Sequence, residues 1–425
     1  MRGPFHLDKE LLPIVRTIGE EAAGRSAPAY LVGGIVRDLM LGIRNLDLDI
    51  VFEGDAVSLA RTLASKLNAS LVVHEKFGTA TMNLENGLRV DLVTARKETY
   101  PHPGALPVVS RGNIRDDLFR RDLTVNAMAL AIDPKGLLTL VDEFGGREDL
   151  RRKRIRILHE LSFQDDPTRI LRAVRFEQRF GFRIEAKTLR LLKAALSNRL
   201  EERVKPERYF HEFHKMLREP KPWKNIQRLK ELNGCGFLGK GVRISAAELG
   251  LLRSGQQSVF FYRRAVPHDE IEPALVELMA LLYRTREGEL DRFIKKFNLS
   301  KPHQVCLRQM RRWDMVRRSL SRKAVDPSDV YRALVEFRTE TLLFFRAQKS
   351  GGLVRRRLDE FLTKLRFVQL SVDGEDLKRL GIEGSQRMGK ILDSLLDMKI
   401  DGRLATREDE LNMAGRLAKE IGPSR

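Results

Sequence analysis

Two aspartates stand two residues apart in the run Asn45-Leu46-Asp47-Leu48-Asp49, where leucines alternate with the acids. In an extended strand residues i and i+2 face the same side, roughly 7 Å apart along the backbone, so Asp47 and Asp49 project together. Two carboxylates so placed repel unless a cation lies between them or one is protonated. A pair of Mg²⁺ ions suits them, because magnesium takes carboxylate oxygens together with phosphate oxygens. Upstream, Leu31-Val32-Gly33-Gly34-Ile35-Val36-Arg37-Asp38 leaves backbone amides free at Gly33 and Gly34, with Arg37 a helical turn onward. That is a seat for a triphosphate. An acidic pair alone reads more often as the outward face of an edge strand, and a Gly-Gly turn alone is weaker still. Together and in this order they point to chemistry on phosphates.

Two better-known phosphate motifs do not fit. Gly33-Gly34 lacks the third glycine of a dinucleotide fingerprint, its acidic pair lies inside a strand pattern, and no Walker G-x-x-x-x-G-K-[ST] occurs. A second cluster, Asp117-Leu118-Phe119-Arg120-Arg121-Asp122, sets adjacent arginines between acids. As a surface ion-pair cluster it would be worth little. As a site, Arg121 offers a guanidinium fork for phosphate and Asp122 an acceptor for a ribose hydroxyl. A third, Asp165-Asp166-Pro167-Thr168-Arg169 followed by Arg172 and Arg175, repeats charge at i+3 on one helix face. Salt bridges on a solvated helix are the commoner meaning of that spacing.

The elements that must hold these residues change character near residue 160. Before it, period-two segments at 29–32, 46–52, 71–74, 79–84, 88–93, 128–132, 137–141 and 155–158 predict strands, with a helix over 55–67. Beyond it, apolar residues at i, i+3 and i+4 predict helices over 167–180, 186–197 and 206–218, and helical signals run on to the end. The expected fold is α+β: a mixed-sheet head followed by an all-helical arm.

Charge divides at the same place. Residues 1–150 carry 18 lysines and arginines against 21 acids, whereas the remainder carries 60 against 37. A slightly acidic front and a strongly basic back suit a catalytic head on a polyanion-holding body. Cys235 and Cys306 are far apart and alone, which excludes a disulfide framework or zinc ribbon and makes a reducing cytoplasm the expected setting. No apolar run approaches the length of a membrane span, the first thirty residues lack a signal-peptide core, and neither a membrane nor a protein partner is expected.

In this order the three clusters closely resemble the class II tRNA nucleotidyltransferases, the CCA-adding family with its poly(A) polymerase relatives. The match runs through Gly33-Gly34, Arg37-Asp38, Asp47-x-Asp49, residues 77–81, residues 89–100, Arg120-Arg121-Asp122, residues 146–150 and the helix 165–175, covering about the first 220 residues. The resemblance implies a polymerase-beta-like nucleotidyltransferase head (1–158), then a helical neck (159–220), body (221–350) and tail (351–425) of the long bacterial type. It implies that Asp47 and Asp49 hold catalytic Mg²⁺, with Asp91 a possible third carboxylate or an orienter of water. Gly33, Gly34, Arg37, Arg121, Asp122, Arg172 and Arg175 would bind nucleotide, and Asp166 with Arg169 would read the base. The implied partners are tRNA, CTP and ATP. Whether all of CCA, CC alone or the last A is added stays open, as does poly(A) synthesis or an inactive RNA-binding protein of this fold.

Departures from the family pattern are Asp165 where Glu is usual and Leu123 where Phe usually follows the RRD triplet; the basic signature of bacterial poly(A) polymerases is absent. Residues 98–117, rich in proline, look like the flexible loop that helps the family pass from CTP to ATP. In the arm, Arg311, Arg312, Arg317, Arg318, Arg355, Arg356 and Arg357 are candidate RNA-phosphate contacts. His211 and His214 at i, i+3 read better as packing than as a metal site.

Overall fold

Among the described residues up to 141, short runs of β-branched and apolar residues closed by Gly, Asn or Asp form nine strands. The computed structural model describes residues 5, 7–135 and 137–420. The strands are β1 (Ala29–Val32), β2 (Leu48–Phe52), β3 (Ser70–His74), β4 (Thr79–Asn83), β5 (Arg89–Thr94), β6 (Arg96–Thr99), β7 (Val108–Arg111), β8 (Ala129–Ile132) and β9 (Leu138–Val141). Seven of them make one mixed sheet in the order β3-β4-β5-β2-β1-β8-β9. Its neighbours are antiparallel except β2 and β5, which run parallel. The expected α+β class is what the chain adopts.

Alternation along β2 sets the site. Leu48 and Ile50 are buried while Asp49 between them is exposed on the opposite face. The next element over, α2 (Gly34–Met40), starts directly after β1 and buries Ile35, Val36, Arg37 and Asp38. Helices α1 (Leu12–Gly24), α3 (Ala56–Lys66), α4 (Ile114–Phe119) and α5 (Gly146–Arg151) accompany the sheet. Asp55 caps α3 by accepting from the amides of Val57 and Ser58. Val32, Val51, Ala95, Leu118 and Ala127 are part of a core between sheet and α4.

Three sequence expectations need correction. The strand expected over 46–52 begins at Leu48, and Asp47 lies in irregular chain before it, its amide donating to Asn45 Oδ1 at 2.9 Å. A side chain that offers the backbone a local bond competes with the ladder. The strand expected at 155–158 shrinks to Arg154–Ile155, which pairs with Arg183–Ile184 outside the main sheet. The loop expected over 98–117 is confined to 100–107 and 112–113: β6 and β7 pair from Arg96↔Arg111 to Thr99↔Val108, and α4 follows. Val108 and Val109 favour extended backbone.

After residue 160 the first unit continues as α6 (Ser162–Asp165), α7 (Thr168–Phe180), α8 (Ala186–Ser197) and α9 (Pro206–Leu217). Two compact units are present, one running through Met216 with Arg228–Phe237, the other comprising Leu217–Gln227 and the chain from Leu238. The expected border at 158/159 falls inside the first unit and that at 350/351 inside the second. Beyond Leu238 the described residues form helices and turns without strands. A cluster including Val372, Leu377, Ile391, Leu395 and Ala414 forms a core there.

Candidate active site

Parallel pairing of β2 on β5 puts Asp49 opposite Asp91. Asp91 is already engaged: Oδ1 accepts from Thr81 Oγ1 at 2.5 Å, and Arg89 meets Oδ2 at 2.9 Å. Asp49 opens to solvent on one side, yet protein crowds it from behind. Burial therefore raises its carboxyl above the ordinary value, Arg121 opposes, and the charges of Asp91 and Asp47 raise it further. Asp49 thus offers the cleft a carboxylate whose ionisation its acidic neighbours make costlier, and oxygen ligands of this kind suit a hard divalent cation.

Gly33 closes the other side. Its φ is +73°, and a Cβ there would lie 2.8 Å from Arg121 Nη1 and 3.7 Å from Asp49 Oδ2. The backbone conformation requires glycine, and a side chain there would push the Arg121 tip aside. Arg121 donates to Asp117 Oδ2 at 2.9 Å, while Arg120 donates to Oδ1 of the same carboxylate at 2.7 Å. Burial would raise Asp117, which is fully enclosed, but the two guanidinium groups overcome it and hold the carboxyl low. Arg121 Nε is buried without a hydrogen-bond acceptor in the protein. An anion oxygen would satisfy that donor.

A buried hydrogen-bond relay ties these parts to α7. Arg172 Nε donates to Asp122 Oδ2 at 2.8 Å, and Asn126 Nδ2 donates to Asp122 Oδ1 at 3.0 Å. Asn126 Oδ1 accepts from Arg37 Nη1 at 2.6 Å, and Arg37 Nε donates to Asp38 Oδ1 at 2.9 Å. Asp38 Oδ2 accepts from Asn45 Nδ2 at 2.8 Å, and Asn45 holds the Asp47 amide. Arg37 also lies over the rings of Phe176 and Phe180, its Cζ 5.3 and 4.9 Å from their centroids. Burial alone would raise Asp122, but Arg172, Asn126 and Arg169 bring it down to about 2.

Asp166 and Arg169 occupy the start of α7. Asp166 Oδ1 accepts from Thr168 N at 3.0 Å and Thr168 Oγ1 at 2.6 Å, and Arg208 reaches Oδ2 at 2.7 Å. Arg169, 3% exposed, donates to Ser162 Oγ and to the Arg120 carbonyl, both at 2.7 Å. Glu98 joins β6 to this region, since Arg120 Nη1 meets its Oε1 at 3.2 Å and Tyr100 Oη donates to its Oε2 at 3.0 Å. Burial, with Glu98 and against Arg169, pushes the Tyr100 hydroxyl up to about 12.

One cleft of about 520 Å³ gathers most of these groups: Gly33, Gly34, Arg37, Asp49, Arg121, Asp122, Asp166, Arg169 and Arg172 line it. Asp47 and Asp91 neighbour Asp49 without lining the cleft. Arg175 is a correction. Its guanidinium sits 4.6 Å from the Phe176 centroid and 3.9 Å from Glu212, away from the cleft lining. Each i+3 step on a helix lags by about 60°, so Arg175 has turned about 120° from Arg169, while Phe176 stays in line. The cleft also holds Glu98, Tyr100, Pro107, Arg120, Asn126, Phe176 and Arg208, to which the sequence reading gave no role there. Arg120 and Asn126 border Arg121 and Asp122 in sequence and carried a signal; Arg208 opens a helix and carried none.

Comparison with known proteins agrees with this geometry. A family model described as the poly A polymerase head domain matches residues 29–156. One described as a probable RNA and SrmB-binding site of polymerase A matches residues 181–233. The A-adding tRNA nucleotidyltransferase of Halalkalibacterium halodurans is 33% identical over 96% of this chain and 93% of its own length. The chain belongs to the class II tRNA nucleotidyltransferase and poly(A) polymerase family. The A-adding tRNA nucleotidyltransferase of Geobacter sulfurreducens is 35% identical over 97% of this chain, which spans 48% of that relative. A solved CCA-adding enzyme in an apo form superposes with a TM-score of 0.76 at 35% identity, covering 96% of this chain and 95% of the other.

In this nucleotidyltransferase family member the basic second unit spends several arginines on its own fold. Arg357, 9% exposed, donates to the carbonyls of Leu320 and Arg322 at 2.7 and 2.6 Å, tying off the helix Trp313–Leu320. Arg311 does the same for the Tyr283 and Thr285 carbonyls after the helix Pro273–Leu282. Both are among the residues expected at RNA phosphate; Arg357 is buried on these helix-end acceptors, while Arg311 bonds them from an exposed position. Arg312 pairs with Glu336 at 2.6 Å, Arg317 lies 3.6 Å from Asp314, and Arg355 donates to the Arg346 carbonyl at 3.2 Å. Arg318 and Arg356 remain exposed. In the first unit, His214 lies near the Phe210 ring, 6.1 Å between centroids, and His211 is exposed. No described helix is long and apolar enough to cross a membrane.

Proposed function

We propose that this chain is a template-independent nucleotidyltransferase that transfers AMP from ATP to the 3′ end of tRNA. The observation that carries the reading is the single cleft lined by Asp49, the Gly33 turn, Arg121 and the Asp166–Arg169 pair. A nucleoside triphosphate fits it with phosphates toward Gly33 and Arg121 and base toward α7. Asp47 and Asp49 would hold the divalent ions this family generally uses, and Asp91 would steady Asp49. When bound, such ions lower the pKa of the attacking 3′-hydroxyl and neutralise the departing pyrophosphate. Arg121 would take a phosphate oxygen on its unpartnered Nε, and Asp122, held ionised, has an acceptor direction left for a ribose hydroxyl.

Base choice follows from donors and acceptors. Adenine sets an N6 amino group beside the N1 acceptor, and cytosine sets N4 beside N3. Both complement a carboxylate next to a guanidinium. Uracil and guanine reverse the pair, leaving Asp166 against a carbonyl and Arg169 against an N–H, at a cost of several kcal/mol.

The two A-adding relatives, alike over nearly all of this chain, favour addition of the terminal A. A second reading, stepwise addition of C, C and A from CTP and ATP, is favoured by the similarity to a solved CCA-adding enzyme. The experiment supplies tRNA ending in the discriminator, in C or in CC, with CTP or ATP alone, and reads product length. A-addition predicts one nucleotide, from ATP, on the CC end only. Growth from the discriminator with CTP supports full CCA addition, long A-tails on any RNA support poly(A) synthesis, and no transfer at all overturns the enzymatic reading.

A further inference from the structure

The carboxylate assigned to base reading is not free on both oxygens. Asp166 Oδ1 is saturated by the amide and hydroxyl of Thr168, so it belongs to the first turn of α7. Oδ2, the oxygen left for a ligand, already has the Arg208 guanidinium against it, an ion pair with Nη2 at 2.7 Å. A carboxylate oxygen can be approached from two acceptor directions. Arg208 occupies the space on one side.

Arg208 is fixed from behind. It stands in the first turn of α9, where its amide donates to the Lys205 carbonyl at 3.0 Å. The adjacent Tyr209, 1% exposed, packs edge-on against Phe237 at 4.9 Å. The guanidinium itself lines the cleft with Asp166. Resting on the base-reading role proposed above, we infer that Arg208 is a specificity-determining positioning residue: its guanidinium, ion-paired on one side of Asp166 Oδ2, leaves a single open side, in one orientation, for one base amino hydrogen. Without it Oδ2 has two open directions. A base can then approach at more than one angle, and a water can bridge Asp166 to a carbonyl-bearing base.

The simpler alternative is a salt bridge that only joins α7 to α9. The test uses the full chain, with equilibrium binding of ATP and GTP in the absence of RNA, and incorporation of each into tRNA ending in CC. Arg208→Gln and Arg208→Ala are expected to lower the ATP-over-GTP preference about tenfold, the scale of one charge-assisted hydrogen bond. The loss should appear in KM for ATP more than in kcat, with Arg208→Lys recovering part of it. Should Arg208→Ala fail to fold, Arg208→Met keeps the aliphatic stem and carries the same comparison. Asp166→Asn is the control. Variants of Arg208 that melt earlier but keep the parent preference, while Asp166→Asn loses it, overturn the inference and leave the base-reading role standing. An Asp166→Asn protein that still prefers ATP removes the base-reading role, and the inference falls with it.

Discussion

Asp49 and Asp91 face one another across the parallel β2–β5 pairing, and their surroundings make them unequal. Asp91 is braced by Thr81 and Arg89, whereas Asp49 lines the cleft with its carboxyl raised by burial and by its acidic neighbours. A braced acid beside an open one is the arrangement in which one orients and the other binds.

That inequality predicts unequal variants. Asp49→Asn should reduce nucleotide transfer by about a thousandfold or more, the scale of removing a metal-held charge at the reacting centre. Asp91→Asn should cost about 10- to 100-fold, partly restored by raising Mg²⁺. Single-turnover rates across a Mg²⁺ titration check both.

Asp122 predicts an acid limb in stability. Its folded carboxyl sits at about 2, below the ordinary value of 3.8, because Arg172, Asn126 and Arg169 outweigh its burial. Between those values the unfolded chain binds the proton and the folded one does not, so stability rises with pH there. The contribution, about 2 kcal/mol, is fully present above pH ~4–5 and lost as pH falls toward 2. Denaturant unfolding at pH 5 and pH 3 should show a steeper loss for the parent than for Asp122→Asn.

Gly33→Ala should hurt binding through Arg121. The backbone at φ +73° strains any side chain, and a Cβ 2.8 Å from Arg121 Nη1 pushes that guanidinium tip aside. Stability should fall by about 1–2 kcal/mol, and KM for the nucleotide should rise several-fold as Arg121 is displaced. Thermal melts and steady-state kinetics separate the two effects.

In the second unit, arginines of the same triplet should part company. Arg357→Ala strips partners from buried carbonyls and should lower stability by about 2 kcal/mol, seen as an earlier melt. Arg356→Ala, on an exposed position, should melt like the parent.

Much of this was legible in the sequence because it is periodic or local. Alternation around Leu48 and Ile50 fixes which way Asp49 points, and the positions of Gly33-Gly34 and Arg121-Asp122 mark the cleft walls before any fold is known. What escaped is what depends on a third dimension. Asp47 left its strand because Asn45 captured its amide, an interaction that alternation does not register. Arg175 left the cleft through the accumulated lag of i+3 steps. Arg357 reads as surface charge because nothing in an arginine's neighbours tells that a distant helix end waits for its hydrogens. Arg208, ion-paired with Asp166 in the cleft, lies in a stretch that looks ordinary.

The β6–β7 hairpin is wired to the start of α7 through one side chain. Glu98 holds Arg120, whose carbonyl holds Arg169. Exchanging this hairpin between relatives is therefore not a modular graft: a chimaera that inherits a new hairpin also inherits a re-set start of α7, and any change in nucleotide choice would have to be apportioned between the two.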